Sequence, residues 1–255
     1  MKNKIPVTIN RNGVHSTILM PAKFCLIRHC QSLMNYLSDQ SNNYNNPELM
    51  YILVDNPHWD KDINLSELGI IQSKSLGRYW NDVIEGNFKY PNFLSSSYER
   101  CFLTAVALST NFRTNADFKE KESGLLFARN LKQLESIVSN YKNASKDKWN
   151  FEGGHSESFG QLQNKLHKAL LELDSDNTVI VTHSDVITTI KSLFESKPNQ
   201  TFNDYISSLK EEDYPTNGEI IEYDFTNKTV QKTKMKPDKH GNCLYKSKPT
   251  NLTLV

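Results

Sequence analysis

Apolar residues occur in short runs along the chain, and segments of helical periodicity separate these runs. Phe24 to Ile27 form the first run, and residues 93–96 and 178–182 form two more. The last is rich in β-branched residues, which are typical of a buried strand. Alternating strands and helices predict an α/β fold, here a three-layer α/β/α sandwich around a mostly parallel central sheet.

Capping residues and apolar spacing predict the helices that connect these strands. A first helix is expected to begin near Gln31 and to include Asn35. Ser66 is the candidate N-cap of the second helix, and the third carries Arg100. Two further helices and a last strand are predicted at about 157–173, 185–195 and 219–225.

Polar segments flank and interrupt this predicted core. Residues 36–61 are rich in Asn and contain two prolines, which predicts a long loop or lid, and such loops are usually functional. Residues 1–21 are expected to form an N-terminal extension that ends in an edge strand, and residues 230–255 a Lys-rich C-terminal tail. The domain itself is expected to span residues 22–229.

Composition narrows the possible partners. The chain has 255 residues, enough for one domain with a substantial core. Its net charge of +1 argues against nucleic acid or a membrane surface as a partner. The mean hydropathy is -0.59, no apolar run is long enough to span a bilayer, and residues 1–12 lack the apolar stretch of a signal peptide. We therefore expect a cytoplasmic protein.

Three predicted strands end in residues that suit phosphate chemistry. The first ends in Arg28-His29, the second leads through Ser96 to Arg100, and the third ends at His183. Because the carboxyl ends of parallel strands meet at one edge of a sheet, these residues are expected to converge where open α/β sheets bind ligands. Arginine can bind two phosphate oxygens, and imidazole can attack phosphorus. The alternative is a set of exposed strand ends without a chemical role.

Five segments in order carry a family resemblance. They are Leu26 to Asn35, Asp62 to Gln72, Ser96 to Ala105, Gly153 to Ser158, and Val179 to His183. The first is similar to L-x-R-H-G-[EQ]-[ST]-x-x-N, the signature of the histidine phosphatase superfamily, which includes the cofactor-dependent phosphoglycerate mutases. The others resemble that family's D-x-x-L-[ST]-x-x-G, S-x-x-x-R-x-x-x-T-A and G-G-E-S segments and the strand before its second catalytic histidine. The resemblance covers roughly residues 22–225.

The resemblance implies a role for each of these polar residues. His29 would be the nucleophile and become phosphohistidine. Arg28, Arg100 and His183 would surround the transferring phosphoryl group, and Asn35 would donate a hydrogen bond to it. No cofactor and no metal are expected, because the arginines supply the positive charge that a metal supplies in kinases.

The resemblance also implies a proton donor. The family's acid lies in an L-x-E-x-x-x-G pattern, which Phe118 to Gly124 resembles with Glu120 in the acid position. Glu122 is the second candidate. The alternative is that both glutamates lie on a solvated surface flanked by lysines.

Two residues depart from the family pattern. Cys30 and Ser184 stand where the family has glycines. If those glycines need a positive φ, the two replacements would strain the backbone. If the positions need only a small residue, cysteine and serine both fit.

The expected activity is hydrolysis of a phosphomonoester carried by a small molecule or a phosphoprotein. Phosphoglycerate mutases have a long insertion between the acid and the second histidine, whereas the segment from Glu120 to His183 is short. Two alternatives stay open, namely mutase-type phosphoryl transfer and a catalytically weak phosphate-binding or partner-binding pseudoenzyme. A carboxyl group that faces His29 would distinguish an active enzyme from the pseudoenzyme.

Overall fold

The computed structural model describes residues 4–44, 60–88, 91–122, 136, 139, 157–237 and 243–251. The strands in this part of the chain are β1 (Lys4–Arg11), β2 (Val14–Pro21), β3 (Lys23–Arg28), β4 (Asn92–Ser95), β5 (Arg113–Thr114), β6 (Asn177–Thr182), β7 (Ile220–Asp224), β8 (Thr229–Pro237) and β9 (Cys243–Asn251). The α-helices are α1 (Leu33–Tyr44), α2 (Glu67–Tyr79), α3 (Glu99–Val106), α4 (Phe159–Leu171), α5 (Ser184–Glu195) and α6 (Phe202–Ser208). A π-helical turn, Trp80–Ile84, continues α2.

Seven strands form one mixed sheet in the order β5-β4-β6-β3-β7-β8-β9. The four strands from β5 to β3 pair in parallel, whereas β7, β8 and β9 are joined by antiparallel pairings. The prediction of a mostly parallel sheet is therefore wrong for this second half. A short turn joins β7 to β8, and a connection of that length can only produce antiparallel neighbours.

Helices cover both faces of the sheet, which confirms the predicted three layers. Alternate residues of β3 point to opposite faces, as the pleat of a strand requires. Phe24 and Leu26 belong to a core cluster with α4 and α5. Cys25 and Ile27 belong to a second cluster with α2 and α3. β3 is thus buried on both faces, so its continuous apolar run follows from its position.

Residues 4–21 and the described part of residues 229–251 form strands that the sequence predicted only in part. The N-terminal segment is a β1–β2 hairpin whose apolar residues, including Val7 and Ile9, are buried in the cluster with α4 and α5. The prediction of a Lys-rich tail at residues 230–255 is wrong in the part that the structure describes, because β8 and β9 extend the main sheet there. Thr233 and Met235 are buried while Lys236 is exposed, so alternation in this segment reflects a strand with one covered face.

The predicted lid at 36–61 is only partly described. Its first residues, up to Tyr44, continue helix α1 and are not a loop. Residues 45–59 lie outside the described residues. Among the helices that are described, none combines the length and the apolar character needed to cross a bilayer.

Candidate active site

The carboxyl ends of the parallel strands bring the candidate residues together. β3 ends at Arg28, and the next residue, His29, donates its backbone N–H to the carbonyl of Thr182 at the end of β6 (2.9 Å). β6 in turn leads into His183, which is the N-cap residue of α5. The rings of His29 and His183 lie 5.2 Å apart in an edge-to-face arrangement. The predicted convergence of the two histidines is thus present in the structure.

His29 is held as a neutral imidazole. Its side chain is buried, and its Nδ1 atom lies 2.7 Å from the carbonyl oxygen of Cys30. Burial lowers the pKa of His29 well below its usual value, and the positive charges of Arg100 and Arg28 lower that pKa further. A neutral imidazole that donates from Nδ1 to a carbonyl carries its lone pair on Nε2. Nε2 is therefore the ring nitrogen of His29 that carries the free lone pair.

His183 is fully buried and has polar neighbours on both ring nitrogens. Its Nε2 is hydrogen-bonded to Oγ of Ser96 at 2.8 Å, and Sγ of Cys101 lies 3.4 Å from the same atom. Burial lowers the pKa of His183 well below its usual value, and the charge of Arg100 adds to that shift. This histidine is also neutral, so it can donate a hydrogen bond without adding a full charge.

The two arginines have different supports. Arg28 donates from Nη1 to the carbonyl of Pro215 (2.6 Å), and within the described residues its buried Nε atom makes no hydrogen bond. Arg100 is buried and forms an ion pair with Asp60, its Nη2 lying 3.0 Å from Oδ1. Arg28 is thus buried with fewer partners than Arg100, so its guanidinium still has a donor that can bind a ligand.

Glu120 is a carboxyl group that lies beside His183. Its Oε2 atom is 3.7 Å from Nδ1 of His183, and its side chain is 22% exposed. Burial raises the pKa of Glu120 to about 8, and the charge of Asp185 also raises it, whereas Arg100 and Arg28 lower it. At neutral pH this carboxyl group therefore holds a proton.

Glu122 has a different environment. It forms an ion pair with Lys119, and its side chain is 42% exposed. Of the two glutamates that the sequence left open, Glu120 is thus the one in the site. The family pattern likewise places Glu120 first and Glu122 second.

Asn35 joins the site through its carbonyl oxygen. This oxygen accepts hydrogen bonds from the backbone N–H of Ser32 (3.2 Å) and from Nδ2 of Asn217 (3.1 Å). Asn217 also donates to the backbone carbonyl of His29 (3.1 Å). With its oxygen occupied in this way, Asn35 keeps its Nδ2 group as a donor, and the hydrogen bond from this group to a phosphate stays a prediction.

Helix α2 approaches the loop after His29 so closely that glycine is required at one position. A Cβ atom on Gly69 would lie 2.0 Å from the carbonyl oxygen of Gln31. The same loop is held by hydrogen bonds from Gln31 N to Oε1 of Gln72 (2.7 Å) and from Ser66 N to the Gln31 carbonyl (3.0 Å). Ser66 is also the N-cap of α2, as predicted, and accepts from Gly69 N. The motif from Asp62 to Gln72 therefore supports the loop that follows His29.

Helix α3 supports the same loop from the other side. The backbone N–H of Cys30 donates to Oγ1 of Thr104 (3.0 Å), which in turn donates to the carbonyl of Arg100 (2.8 Å). The threonine of the S-x-x-x-R-x-x-x-T-A segment thus connects the arginine-bearing helix to the residue next to His29.

Neither departure from the family glycines strains the backbone. In the described part of the chain, the residues other than glycine with positive φ are Asn12, Asn199 and Lys228. Cys30 is fully buried among the residues of the α2–α3 cluster, and Ser184 is the first residue of α5. The two positions accommodate small residues with ordinary backbone angles.

Several residues of the site were not recognised in the sequence. Asp60 pairs with Arg100, Asn217 contacts the His29 carbonyl, and Asp185 raises the pKa of Glu120. Asp185 lies two residues after His183, so its closeness along the chain was an available signal. Asp60 and Asn217 are far along the chain from the residues they contact, and only the folding of the chain brings them to the site. In the described residues, His, Cys, Asp and Glu side chains do not form a group of three or more that could hold a metal ion.

This arrangement of strands and paired histidines defines a class of α/β proteins, and comparison with known families identifies it. The chain belongs to the Histidine phosphatase superfamily (branch 1), whose profile matches residues 24–230. No curated protein matches the sequence.

Solved structures share the fold at low sequence identity. A mycobacterial glucosyl-3-phosphoglycerate phosphatase is 14% identical, with a TM-score of 0.55, 91% of this chain covered and 99% of that chain. Phosphoserine phosphatase from Entamoeba histolytica, in complex with phosphoserine, is 19% identical, with a TM-score of 0.50 and coverages of 88% and 94%. These similarities establish the fold.

Proposed function

We propose that this protein hydrolyses phosphomonoesters without a metal ion, through a phosphohistidine formed on His29. The observation that carries the proposal is the 2.7 Å contact between Nδ1 of His29 and the Cys30 carbonyl. It keeps the proton on Nδ1 and directs the lone pair of Nε2 into the site. The lowered pKa of His29 supports the same state, because a protonated imidazole has no lone pair to attack with.

In the first step, Nε2 of His29 attacks phosphorus and the bond from phosphorus to the ester oxygen breaks. The leaving oxygen takes the proton of Glu120, whose pKa of about 8 keeps it protonated at neutral pH. The products of this step are an alcohol, a phosphohistidine and an ionised Glu120. Throughout, the proton stays on Nδ1 of His29, which donates it in a hydrogen bond to the Cys30 carbonyl.

In the second step, water attacks the phosphohistidine. The ionised Glu120 takes a proton from that water, the bond from Nε2 to phosphorus breaks, and inorganic phosphate leaves. One carboxyl group thus acts as acid and then as base, and the cycle returns both residues to their starting states.

Positive charge stabilises the transition state of both steps. Arg28 and Arg100 lie near enough to His29 to lower its pKa, and we expect both guanidinium groups to bind oxygens of a phosphoryl group on that residue. The buried Nε of Arg28 is one donor suited to the equatorial oxygens. Neutral His183 and the amide of Asn35 are expected to donate further hydrogen bonds.

Glu120 supports a catalytic protein over a phosphate-binding pseudoenzyme. A site that only binds phosphate gains nothing from a carboxyl group beside it, whereas a proton donor must lie within reach of the leaving oxygen. The related folds named as phosphatases for glucosyl-3-phosphoglycerate and phosphoserine agree with hydrolysis. We propose that the substrate is a phosphorylated small molecule or a phosphoprotein.

The experiment measures phosphate release from para-nitrophenyl phosphate in EDTA, together with trapping of the phosphoenzyme by denaturation in alkaline detergent. Wild type should hydrolyse the ester and form an acid-labile phosphoenzyme, and His29→Ala should do neither. His15→Ala is the control, because His15 is an exposed histidine on the β2 strand. Full activity of His29→Ala would refute the mechanism. Efficient phosphoryl transfer between phosphoglycerates with little hydrolysis would favour the mutase alternative.

A further inference from the structure

We propose that Asp60 is a positioning residue that orients the guanidinium of Arg100 toward the transferring phosphoryl group. This inference rests on the proposed function, since it assigns the residue that prepares one phosphoryl ligand. Asp60 lies outside the motif segments and was not recognised from the sequence.

Asp60 contacts both Nη atoms of the Arg100 guanidinium. Nη2 of Arg100 lies 3.0 Å from Oδ1 of Asp60, and Nη1 donates to the backbone carbonyl of the same residue at 2.5 Å. Two donors on two acceptors of one residue fix both the position and the plane of the group. An arginine side chain held by one contact would still rotate about its remaining bonds.

The support for Arg100 is itself anchored. The neighbouring Lys61 accepts a hydrogen bond at its carbonyl from the backbone N–H of Glu99 (2.9 Å), so the turn that carries Asp60 is attached to the start of α3. The ring of Tyr98 lies 4.8 Å from Cζ of Arg100. Arg100 is therefore confined by a carboxylate, a carbonyl and an aromatic ring. These groups lie on two backbone segments that the hydrogen bond from Glu99 to Lys61 joins.

Asp60 also reduces the net charge that Arg100 offers to an anion. Loss of this carboxylate would increase the attraction for a phosphate in the ground state, while the guanidinium would lose its fixed orientation. Catalysis depends on interactions that are stronger in the transition state than in the ground state. Loss of Asp60 should therefore lower kcat while KM stays unchanged or falls.

The test is a double-mutant cycle on hydrolysis of para-nitrophenyl phosphate. Asp60→Ala should lower kcat by about 10- to 100-fold, the range expected when a ligand is displaced by about 1 Å. In the Arg100→Ala background the same change should have almost no further effect, because its only route to the site is gone. Asp60→Asn keeps an oxygen at the Oδ1 position and should restore most of the lost kcat.

Asp82→Ala is the matched control, since Asp82 is an exposed acid in the π-helical turn after α2 and lies outside the motif segments. Circular dichroism and thermal melts identify variants that are merely misfolded. An equal loss of kcat from Asp60→Ala with and without Arg100 would overturn the proposal, as would Asp60→Asn as impaired as Asp60→Ala.

A binding measurement separates this inference from the proposed function. If His29→Ala proved fully active, the mechanism would fail, yet the same cycle could be measured on binding of inorganic phosphate by calorimetry. Asp60→Ala should lower the Kd for phosphate several-fold in the wild-type background, because the carboxylate no longer offsets the charge of Arg100, and should leave it unchanged in Arg100→Ala. The absence of any such coupling would overturn the role of Asp60.

Discussion

The Oε2 atom of Glu120 lies 3.7 Å from Nδ1 of His183, where the segment after β5 meets the end of β6. His183 is fully buried and Glu120 is largely shielded, so the pair meets in a region of low dielectric. A carboxyl group in such a place keeps its proton to a higher pH than it would in water. This pairing supports the assignment of Glu120 as the proton donor.

Glu120→Gln should be most harmful with poor leaving groups. An alkyl phosphate needs a proton on its leaving oxygen, so kcat/KM for that substrate should fall by about 10²- to 10⁴-fold. The effect on para-nitrophenyl phosphate should be smaller, because its leaving group is stable as an anion. Glu122→Gln is the control, since Glu122 pairs with Lys119 at the surface. Equal losses for both substrates would argue against Glu120 as the acid.

The rate should fall at alkaline pH. The pKa of Glu120 is raised to about 8, so the proton needed for the leaving group is present below that pH and is lost above it. In the free enzyme kcat/KM for an alkyl phosphate should then drop about tenfold per pH unit. The charge of Asp185 raises the pKa of Glu120, so Asp185→Asn should move this decline to lower pH. A decline that stays in place in Asp185→Asn would contradict the assignment.

The acid limb of the same profile should lie well below pH 6.5. The pKa of His29 is lowered by burial and by two arginines, so the imidazole keeps its lone pair to lower pH than a free histidine does. Arg28→Gln removes one of those charges and should raise the acid limb toward pH 6.5. An acid limb that Arg28→Gln leaves unmoved would count against this cause.

Gly69→Ala should damage both stability and activity. The new Cβ would lie 2.0 Å from the Gln31 carbonyl oxygen, so α2 and the loop after His29 must move apart. We expect this to lower the free energy of unfolding by about 1 to 3 kcal/mol. Urea unfolding measures this change. Gly86→Ala is the matched control, because a Cβ there meets nothing within 4 Å, and it should change stability by less than about 1 kcal/mol.

Asn217→Ala should lower activity more than stability. It removes the hydrogen bonds to the His29 carbonyl and to Asn35, so kcat should fall about tenfold while the unfolding free energy falls by about 1 kcal/mol. Asn227→Ala removes a comparable amide from an exposed turn, where it donates to Asp224, and should leave kcat unchanged. Equal kcat values for the two variants would show that Asn217 does not contribute to catalysis.

The sequence predicted the strand ends well because their chemistry lies within continuous segments. Arg28-His29 and His183 each follow an apolar run directly, so alternation and the convergence rule for parallel strands were sufficient. The contact from Asp60 to Arg100 joins residues 40 positions apart, and nothing in the local pattern marks either partner for the other. Long-range pairings of this kind become visible only when the fold is known.

The β8–β9 hairpin was missed for a different reason. Lysines at 232, 234 and 236 gave this segment the composition of a solvated tail. Between them lie Thr233 and Met235, which are buried, so the period of two was present and composition concealed it. Long lysine side chains can cover a strand with their stems while their charges reach water.

The order of the sheet has a consequence for local opening. β3, which carries Arg28 and leads to His29, is the fourth of seven strands, with three strands on each side. Edge strands fray by small fluctuations, whereas the amides of a central strand exchange with solvent deuterium only when most of the domain unfolds. Hydrogen exchange should therefore be fast in β5 and β9 and slowest in β3. His29 is thus attached to the part of the molecule whose lifetime equals that of the whole fold.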